Sequence, residues 1–115
     1  ITHSQNNHFI LKEAEPLIGE VDEFSFKYYK FEWPIEDPDA ESITFEILPI
    51  HGDSDIYVSR EDIFPNKTHY EKRSMKVGNA EDHVEFKATP ENSLVATYYI
   101  GVYGYSYSTY GLLVR

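Results

Sequence analysis

Two aspartates near the middle of the chain have the types and spacing of ligands for a hard cation. Asp53 and Asp55 lie two residues apart in the segment HGDSD, after Gly52. Calcium is held by such carboxylates together with backbone carbonyls, so the pair is a candidate calcium site. Aspartates in turns also accept hydrogen bonds from turn amides, which is the alternative interpretation. The surrounding acids lack the regular spacing of an EF-hand loop.

Other arrangements that carry chemistry are absent from the sequence. The five histidines are scattered, none of them forms a His-x-x-x-His motif, and there is no cysteine. This pattern excludes a Cys-ligated metal and argues against a transition-metal site. There is no Gly-x-Ser-x-Gly nucleophile motif and no glycine-rich loop with the spacing of a phosphate site. The sequence therefore predicts no catalytic residues and no enzymatic activity.

One triplet is an acceptor for N-linked glycan. Asn66 begins Asn-Lys-Thr, the only such sequon in the chain, and follows a proline in the least regular segment. Irregular segments between strands usually run over the surface of a protein. We therefore predict glycosylation of Asn66 where the chain is secreted by a eukaryotic cell.

The segment TYYIGVYGYSYSTYG holds six of the ten tyrosines. Alternation along a strand gives it an aliphatic face around Ile100, which we expect to be buried. The other face places tyrosines beside Gly101, which leaves room for a neighbouring ring or backbone. Tyr103, Tyr105 and Tyr107 lie near the following turn. They either pack on apolar surface or form a contact patch for a sugar ring or another protein.

The charge of the chain excludes some classes of partner. The formal net charge is -10, and residues 1–62 hold fifteen acids against four bases. Such a chain repels phosphate backbones and anionic lipid, which argues against nucleic-acid and membrane-surface roles. No apolar run is long enough to cross a bilayer, so no membrane insertion is expected.

An apolar–polar period of two dominates the sequence and predicts strands. In SITFEILPI it points Ile43, Phe45 and Ile47 inward and Glu46 outward, and HVEFKA and YGLLVR alternate in the same way. Turn residues separate these short runs, and no window shows a sustained helical period. The pattern therefore predicts an all-β fold of two packed antiparallel sheets, a β-sandwich.

One aromatic strand shows a break in this period. In EFSFKYYKFEW, Phe24 and Tyr28 share one face, whereas Tyr29 and Trp33 share the other. A change of phase between two adjacent tyrosines indicates a β-bulge or a crossing between sheets.

Three motifs together resemble a known family. GDSDIYVS (52–59), followed by ATYYIGVYGYSYSTYGLLV (96–114), is similar to two strands of the bacterial pre-peptidase C-terminal domain, and GEVDEFSF (19–26) resembles its opening strand. The resemblance implies a jelly-roll β-sandwich without catalytic activity, attached to secreted proteases or built into large extracellular proteins. Its relatives, the collagen-binding domains, bind calcium and fibrous protein.

We therefore expect residues 1–16 to be a lead-in or linker with a possible short strand, and residues 17–115 to form the sandwich. The expected function is that of a non-catalytic extracellular or cell-surface module with a structural or adhesive role. Its partners would be adjacent domains or copies of the same chain. The alternative is a calcium-assisted binding module for fibrous protein or polysaccharide.

Overall fold

Short strands joined by turns build the whole of the described chain. A computed structural model describes residues 8–33, 41–74, 82–89, 93–94 and 96–115, in which nine strands and no helix occur. The strands are β1 (His8–Ile10), β2 (Leu17–Val21), β3 (Phe26–Glu32), β4 (Ser42–His51), β5 (Ser54–Ser59), β6 (Lys72–Ser74), β7 (Asp82–Lys87), β8 (Thr97–Gly104) and β9 (Ser108–Val114).

The strands form two sheets that pack face to face. The five-stranded sheet has the order β1-β3-β8-β5-β6, and the four-stranded sheet has the order β2-β9-β4-β7. All pairings are antiparallel except that of β1 with β3. Every connection except β5–β6 passes from one sheet to the other. The prediction of an antiparallel β-sandwich of jelly-roll type is confirmed.

Alternate side chains from both sheets fill the space between them, as the period of two predicts. The predicted inward residues of β4 and β9 are buried, and so are those of β8, where Ile100 is 0% exposed. The buried cluster includes Tyr29, Phe31, Trp33, Ile43, Phe45, Ile47, Ile56, Val58, Val84, Phe86, Tyr98, Ile100, Val102, Tyr110, Leu112 and Val114. Ala88, expected to point inward, is exposed because β7 ends at Lys87.

A pair of tyrosines joins the two sheets through the core. Tyr29 of β3 and Tyr110 of β9 share a buried hydroxyl–hydroxyl hydrogen bond of 2.6 Å. Gly19 of β2 lies against both rings, and a Cβ atom there would be 2.5 Å from the Tyr29 Oη. Burial raises the pKa of both tyrosines above the ordinary value, since a phenolate would be left without water.

The outer face of the five-stranded sheet is covered as well. The connection between β5 and β6 crosses it, and Phe64 of this connection stacks on His8 with ring centroids 4.9 Å apart. The Pro65 carbonyl lies so near β8 that a Cβ atom on Gly101 would be 2.8 Å from it, and 3.1 Å from the ring of Tyr28. The room predicted at Gly101 is therefore used by a backbone and a ring.

This cover explains why the predicted bulge in β3 is wrong. The pairing of β3 with β8 runs without a register shift from Phe26 to Glu32. The strand carries aromatic residues on both faces because both of its faces are packed. Aromatic residues at successive positions interrupt the apolar–polar alternation, which in the sequence looks like a change of phase. Phe24 does not belong to the strand: it lies in the preceding turn and is 64% exposed.

Two details of β4 differ from an ordinary central strand. The pairing of β4 with β9 shifts register between Pro49 and His51, next to a proline that has no amide hydrogen to donate. Glu46 points outward as predicted but is only 4% exposed. Its carboxylate forms an ion pair with Arg115, which neutralises it.

Some expectations fall on residues that the structure does not describe. Residues 1–7 of the expected lead-in lie outside the described residues, as does the acidic, proline-containing segment 34–40. Within the remainder of the lead-in, His8–Ile10 form β1 and Leu11 is buried.

Replacing Tyr29 and Tyr110 together with phenylalanine should flatten the alkaline loss of stability. In the unfolded chain both tyrosines ionise near pH 10, whereas their raised pKa keeps them protonated in the folded chain. Folding therefore retains protons that unfolding releases, and stability falls as pH rises past about 10, by at most about 1.4 kcal/mol per pH unit for each tyrosine. Urea unfolding between about pH 8 and 11 measures the slope. Equal slopes for the parent chain and the double variant would contradict the assignment.

Candidate functional site

Three connections meet at one end of the sandwich. They are the turn between β2 and β3 (residues 22–25), the turn between β4 and β5 (52–53) and the turn between β8 and β9 (105–107). Each is short and passes from one sheet to the other. We call this surface the tyrosine end and define it by four exposed side chains: Phe24, His51, Tyr105 and Tyr107.

Backbone hydrogen bonds hold the three turns together. The amide of Phe24 donates to the carbonyl of Gly104 (2.7 Å), and the amide of Tyr105 donates to the carbonyl of Asp53 (2.8 Å). The Ser106 hydroxyl accepts from the amide of Asp53 at 3.2 Å. Gly52 has a φ of 83°, a value that favours glycine, and thereby allows a two-residue connection between sheets. The exposed rings are thus carried on ordered backbone.

The rings at this end are exposed although they are large and apolar. Phe24 is 64% exposed, Tyr105 55% and Tyr107 45%. The Tyr107 hydroxyl donates a hydrogen bond of 2.9 Å to Glu20, and its ring lies 6.3 Å from that of His51. The hydrogen bond to Glu20, with desolvation and the nearby charge of Asp22, raises the pKa of Tyr107. A tyrosine held in this way presents a ring face at little further cost in conformational entropy.

Phe24 has a backbone conformation that phenylalanine rarely adopts. Its φ is 58°, in the left-handed region, which costs a residue with a Cβ atom about 1–2 kcal/mol. Two backbone hydrogen bonds stabilise this strained conformation. One runs from the Phe24 amide to the Gly104 carbonyl, and the other from the Ser25 amide to the Asp22 carbonyl (3.2 Å). Strained residues of this kind cluster at ligand-binding sites, and here the strained residue also exposes its ring.

The three tyrosines predicted as contact residues have different surroundings. Tyr103 is only 6% exposed: its ring lies on the outer face of β8, with Lys67 Nζ 4.1 Å from the ring centroid. A hydrogen bond to Tyr103 raises the pKa of Lys67. Tyr105 and Tyr107 lie beyond the end of β8 and are open to solvent. A contact role for all three stays a prediction, and the exposed pair is better placed for it.

Asp53 and Asp55 are close in sequence but differ in surroundings. Asp55 is buried within β5 and pairs with Tyr103 across the sheet. Asp53 lies in the turn, where one carboxylate oxygen is buried without a hydrogen-bond partner among the described residues. The described residues contain no group of three or more His, Asp or Glu side chains that could hold a metal ion. A calcium site at this pair therefore lacks further side-chain ligands in the described chain.

The sequon lies in the connection that covers the five-stranded sheet. The Asn66 Oδ1 accepts hydrogen bonds from the Thr68 amide, the Thr68 hydroxyl and the His69 amide, each at 2.9 Å. The glycan would be attached to the side-chain nitrogen, Nδ2, of Asn66, and no described residue accepts a hydrogen bond from this atom. Thr68 and His69 are exposed. The local geometry is therefore compatible with glycosylation of Asn66.

A small cavity lies at the opposite end of the sandwich. It has a volume of about 220 Å³ and is lined by Ile10, Leu11, Lys12, Glu15, Pro16 and Leu17. Ligand sites usually occupy about 300–1,000 Å³ and contain several convergent polar groups. Lys12 and Glu15 are the only titratable side chains in its lining. The cavity therefore contains few of the polar groups that a ligand site of ordinary size presents.

The described segments include no helix with the length and hydropathy of a transmembrane span.

Sequence reasoning found two of the four residues of the tyrosine end. It missed Phe24, which it assigned to a strand, and His51, which it left in a turn without a role. A signal for Phe24 was present: Asp22 and Ser25 lie close to it in the sequence, and aspartate and serine favour turns.

The comparison with solved structures supports the fold. No family model matches the chain, and no curated protein matches it. Among solved structures, the pre-peptidase C-terminal domain of a collagenase from Bacillus anthracis is similar, with a TM-score of 0.66 and 18% identity. The similarity covers 94% of this chain and 94% of that domain. The sequence resemblance therefore led to the right architecture, and this chain shares the fold of a pre-peptidase C-terminal domain.

Proposed function

We propose that this chain is a non-catalytic β-sandwich module of a larger secreted or surface protein, and that it contacts neighbouring domains or chains through the tyrosine end. One observation carries the proposal: Phe24, Tyr105 and Tyr107 are held exposed on short turns that hydrogen bonds fix in place. Rigid exposed aromatic rings are the residues that most often dominate protein–protein contacts.

Two further observations support this role. The similar solved structure is one domain of a collagenase, so the same architecture serves as a module beside a catalytic unit. The described residues hold no cluster of three or more side chains that could bind a metal ion. An extracellular or cell-surface location is proposed on the same similarity, together with the strand motifs of the family.

Footprinting of the chain inside its parent protein tests the proposal. Hydroxyl radicals should label Phe24, Tyr105 and Tyr107 in the isolated chain and label them several-fold less in the intact parent protein, because a neighbour covers them. Phe9 and Phe64, which are 53% and 40% exposed on another surface, are the internal controls and should keep their labelling. Mass spectrometry measures the labelling, and equal labelling of the tyrosine end in both samples would contradict the proposal.

Truncation of single tyrosines should separate contact residues from core residues. Tyr105→Ala should change the free energy of unfolding by less than about 0.5 kcal/mol, because the ring is 55% exposed. Tyr103→Ala should cost about 2–4 kcal/mol, because it empties a buried site beside Phe26 and Lys67. Chemical denaturation measures both. A loss above 2 kcal/mol for Tyr105→Ala, as for a core residue, would assign that ring to the fold.

We also propose that Asn66 carries N-linked glycan in a eukaryotic secretory pathway. Expression in such a host should give a mass increase that peptide N-glycosidase removes and that maps to Asn66. Thr68→Ala is the matched control, since it destroys the sequon and leaves the asparagine in place. Because Thr68 also donates to Asn66 Oδ1, Thr68→Ser serves as a second control that keeps both the hydroxyl and the sequon. An unmodified parent chain that is correctly secreted would contradict the proposal.

A further inference from the structure

We infer that the partner of the tyrosine end is a cationic protein segment, whose lysine or arginine side chains lie on the exposed rings and pair with the carboxylates around them. This inference rests on the proposed function, because it names the chemistry of the partner for the same surface. It goes beyond that function in excluding neutral and anionic ligands.

The carboxylates around the rings give the surface its charge. Glu20 is exposed near the end of β2, Asp22 and Glu23 are exposed in the turn that follows it, and Asp53 lies partly buried in the turn between β4 and β5. The segments that form the surface, residues 20–25, 50–54 and 104–108, contain no lysine and no arginine. The Tyr107 hydroxyl donates a hydrogen bond of 2.9 Å to Glu20, so one of these carboxylates lies directly at a ring of the surface. A cationic partner would neutralise them.

The neighbouring loop supplies an example of the proposed contact. Lys67 places its ammonium 4.1 Å from the centroid of the Tyr103 ring and 5.8 Å from that of Tyr105. These distances lie within the range of cation–π attraction. Tyr105 therefore already has a cation over its ring, and the residue remains 55% exposed. Phe24 and Tyr107 present the same chemistry without any lysine or arginine from their own turns.

Other occupants fit the surface less well. Phosphate-bearing polymers and anionic lipid would meet four carboxylates, and the segments that form the surface (20–25, 50–54 and 104–108) contain no lysine or arginine to offset them. Two copies of the chain that met through their tyrosine ends would bring eight carboxylates together, twice the four of one copy. A neutral sugar would stack on the rings but would leave the carboxylates without ionic partners. Lysine and arginine side chains satisfy both the rings and the acids, and the planar guanidinium of arginine also stacks on aromatic faces.

Titration with defined hexapeptides tests the inference. The full chain is titrated with hexa-arginine and hexalysine at an ionic strength of about 50 mM, where screening is weak. Hexaglutamate and cellohexaose are the anionic and neutral comparison probes. The cationic peptides should bind, with shifts of backbone amide resonances confined to the three turns of the tyrosine end. Affinity should fall steeply with added salt.

Two pairs of variants distinguish a local site from the general attraction of an acidic protein. Asp22→Asn with Glu23→Gln should weaken peptide binding about tenfold, because both carboxylates flank the rings. Glu13→Gln with Glu32→Gln makes the same change of net charge at exposed positions near the opposite end, and should weaken binding less than about twofold. Equal losses in the two double variants would overturn the inference and assign the binding to net charge alone.

The rings are tested with variants that spare the fold. Phe24→Gly removes a ring and also relieves the backbone strain at a φ of 58°, so folding should be preserved. Tyr107→Leu removes the ring and keeps a smaller apolar side chain. Each should weaken hexa-arginine binding about two- to fivefold, as expected for one exposed cation–π contact. Unchanged affinity in both variants would also overturn the inference.

The remaining outcomes separate this inference from the proposed function. Binding of cellohexaose to the same rings, unaffected by Asp22→Asn with Glu23→Gln, would overturn the cationic partner and leave a contact role for the tyrosine end. Binding of hexaglutamate there would do the same. If the tyrosine end were labelled equally in the isolated chain and in the parent protein, although the cationic peptides bind at its turns, that result would instead contradict the proposed function. Concentration-dependent self-association abolished by the same variants would identify the cationic segment as part of a second copy.

Discussion

The burial of β8 on both faces is the constraint on which the rest of this structure depends. The strand lies at the centre of the five-stranded sheet, and Ile100 on its inner face packs against the other sheet. On its outer face Gly101 lies under the carbonyl of Pro65, and Tyr103 lies under Lys67. A tyrosine within the strand is therefore used by the fold. Tyr105 and Tyr107, which lie in the turn after the strand ends at Gly104, are instead exposed to solvent.

The same constraint explains the odd composition of the neighbouring elements. A sheet covered on both faces needs aromatic side chains on both sides of its inner strands, and Phe26 and Tyr29 of β3 supply them on opposite faces. The cover itself is a connection without regular structure. It is held at its two ends by the ion pair of Arg60 with Glu71, and in the middle by the stack of Phe64 on His8. The pairing of the short parallel strand β1 with β3 positions His8 for this stacking contact.

The sequence predicted the inner core well and the outer surface poorly, for a physical reason. Burial between two sheets imposes a period of two, so residues such as Phe45 and Ile100 could be placed from the pattern alone. Cover by an irregular connection imposes no period, so Phe64 and Pro65 carried no signal of what they pack on. Phe24 shows the same limit, because its left-handed backbone is set by hydrogen bonds to a distant turn and not by its neighbours in sequence.

Stability does not account for the residues at the tyrosine end. Glycine at position 24 would remove the backbone strain, and a polar residue at 105 would remove an exposed ring, yet the chain has phenylalanine and tyrosine there. Glu20 fixes Tyr107 in one orientation, which costs conformational entropy in the free chain and lowers that cost in a complex. The strain, the exposed rings and the uncompensated acids at this end are not required by the fold alone, and they therefore support the proposed contact role.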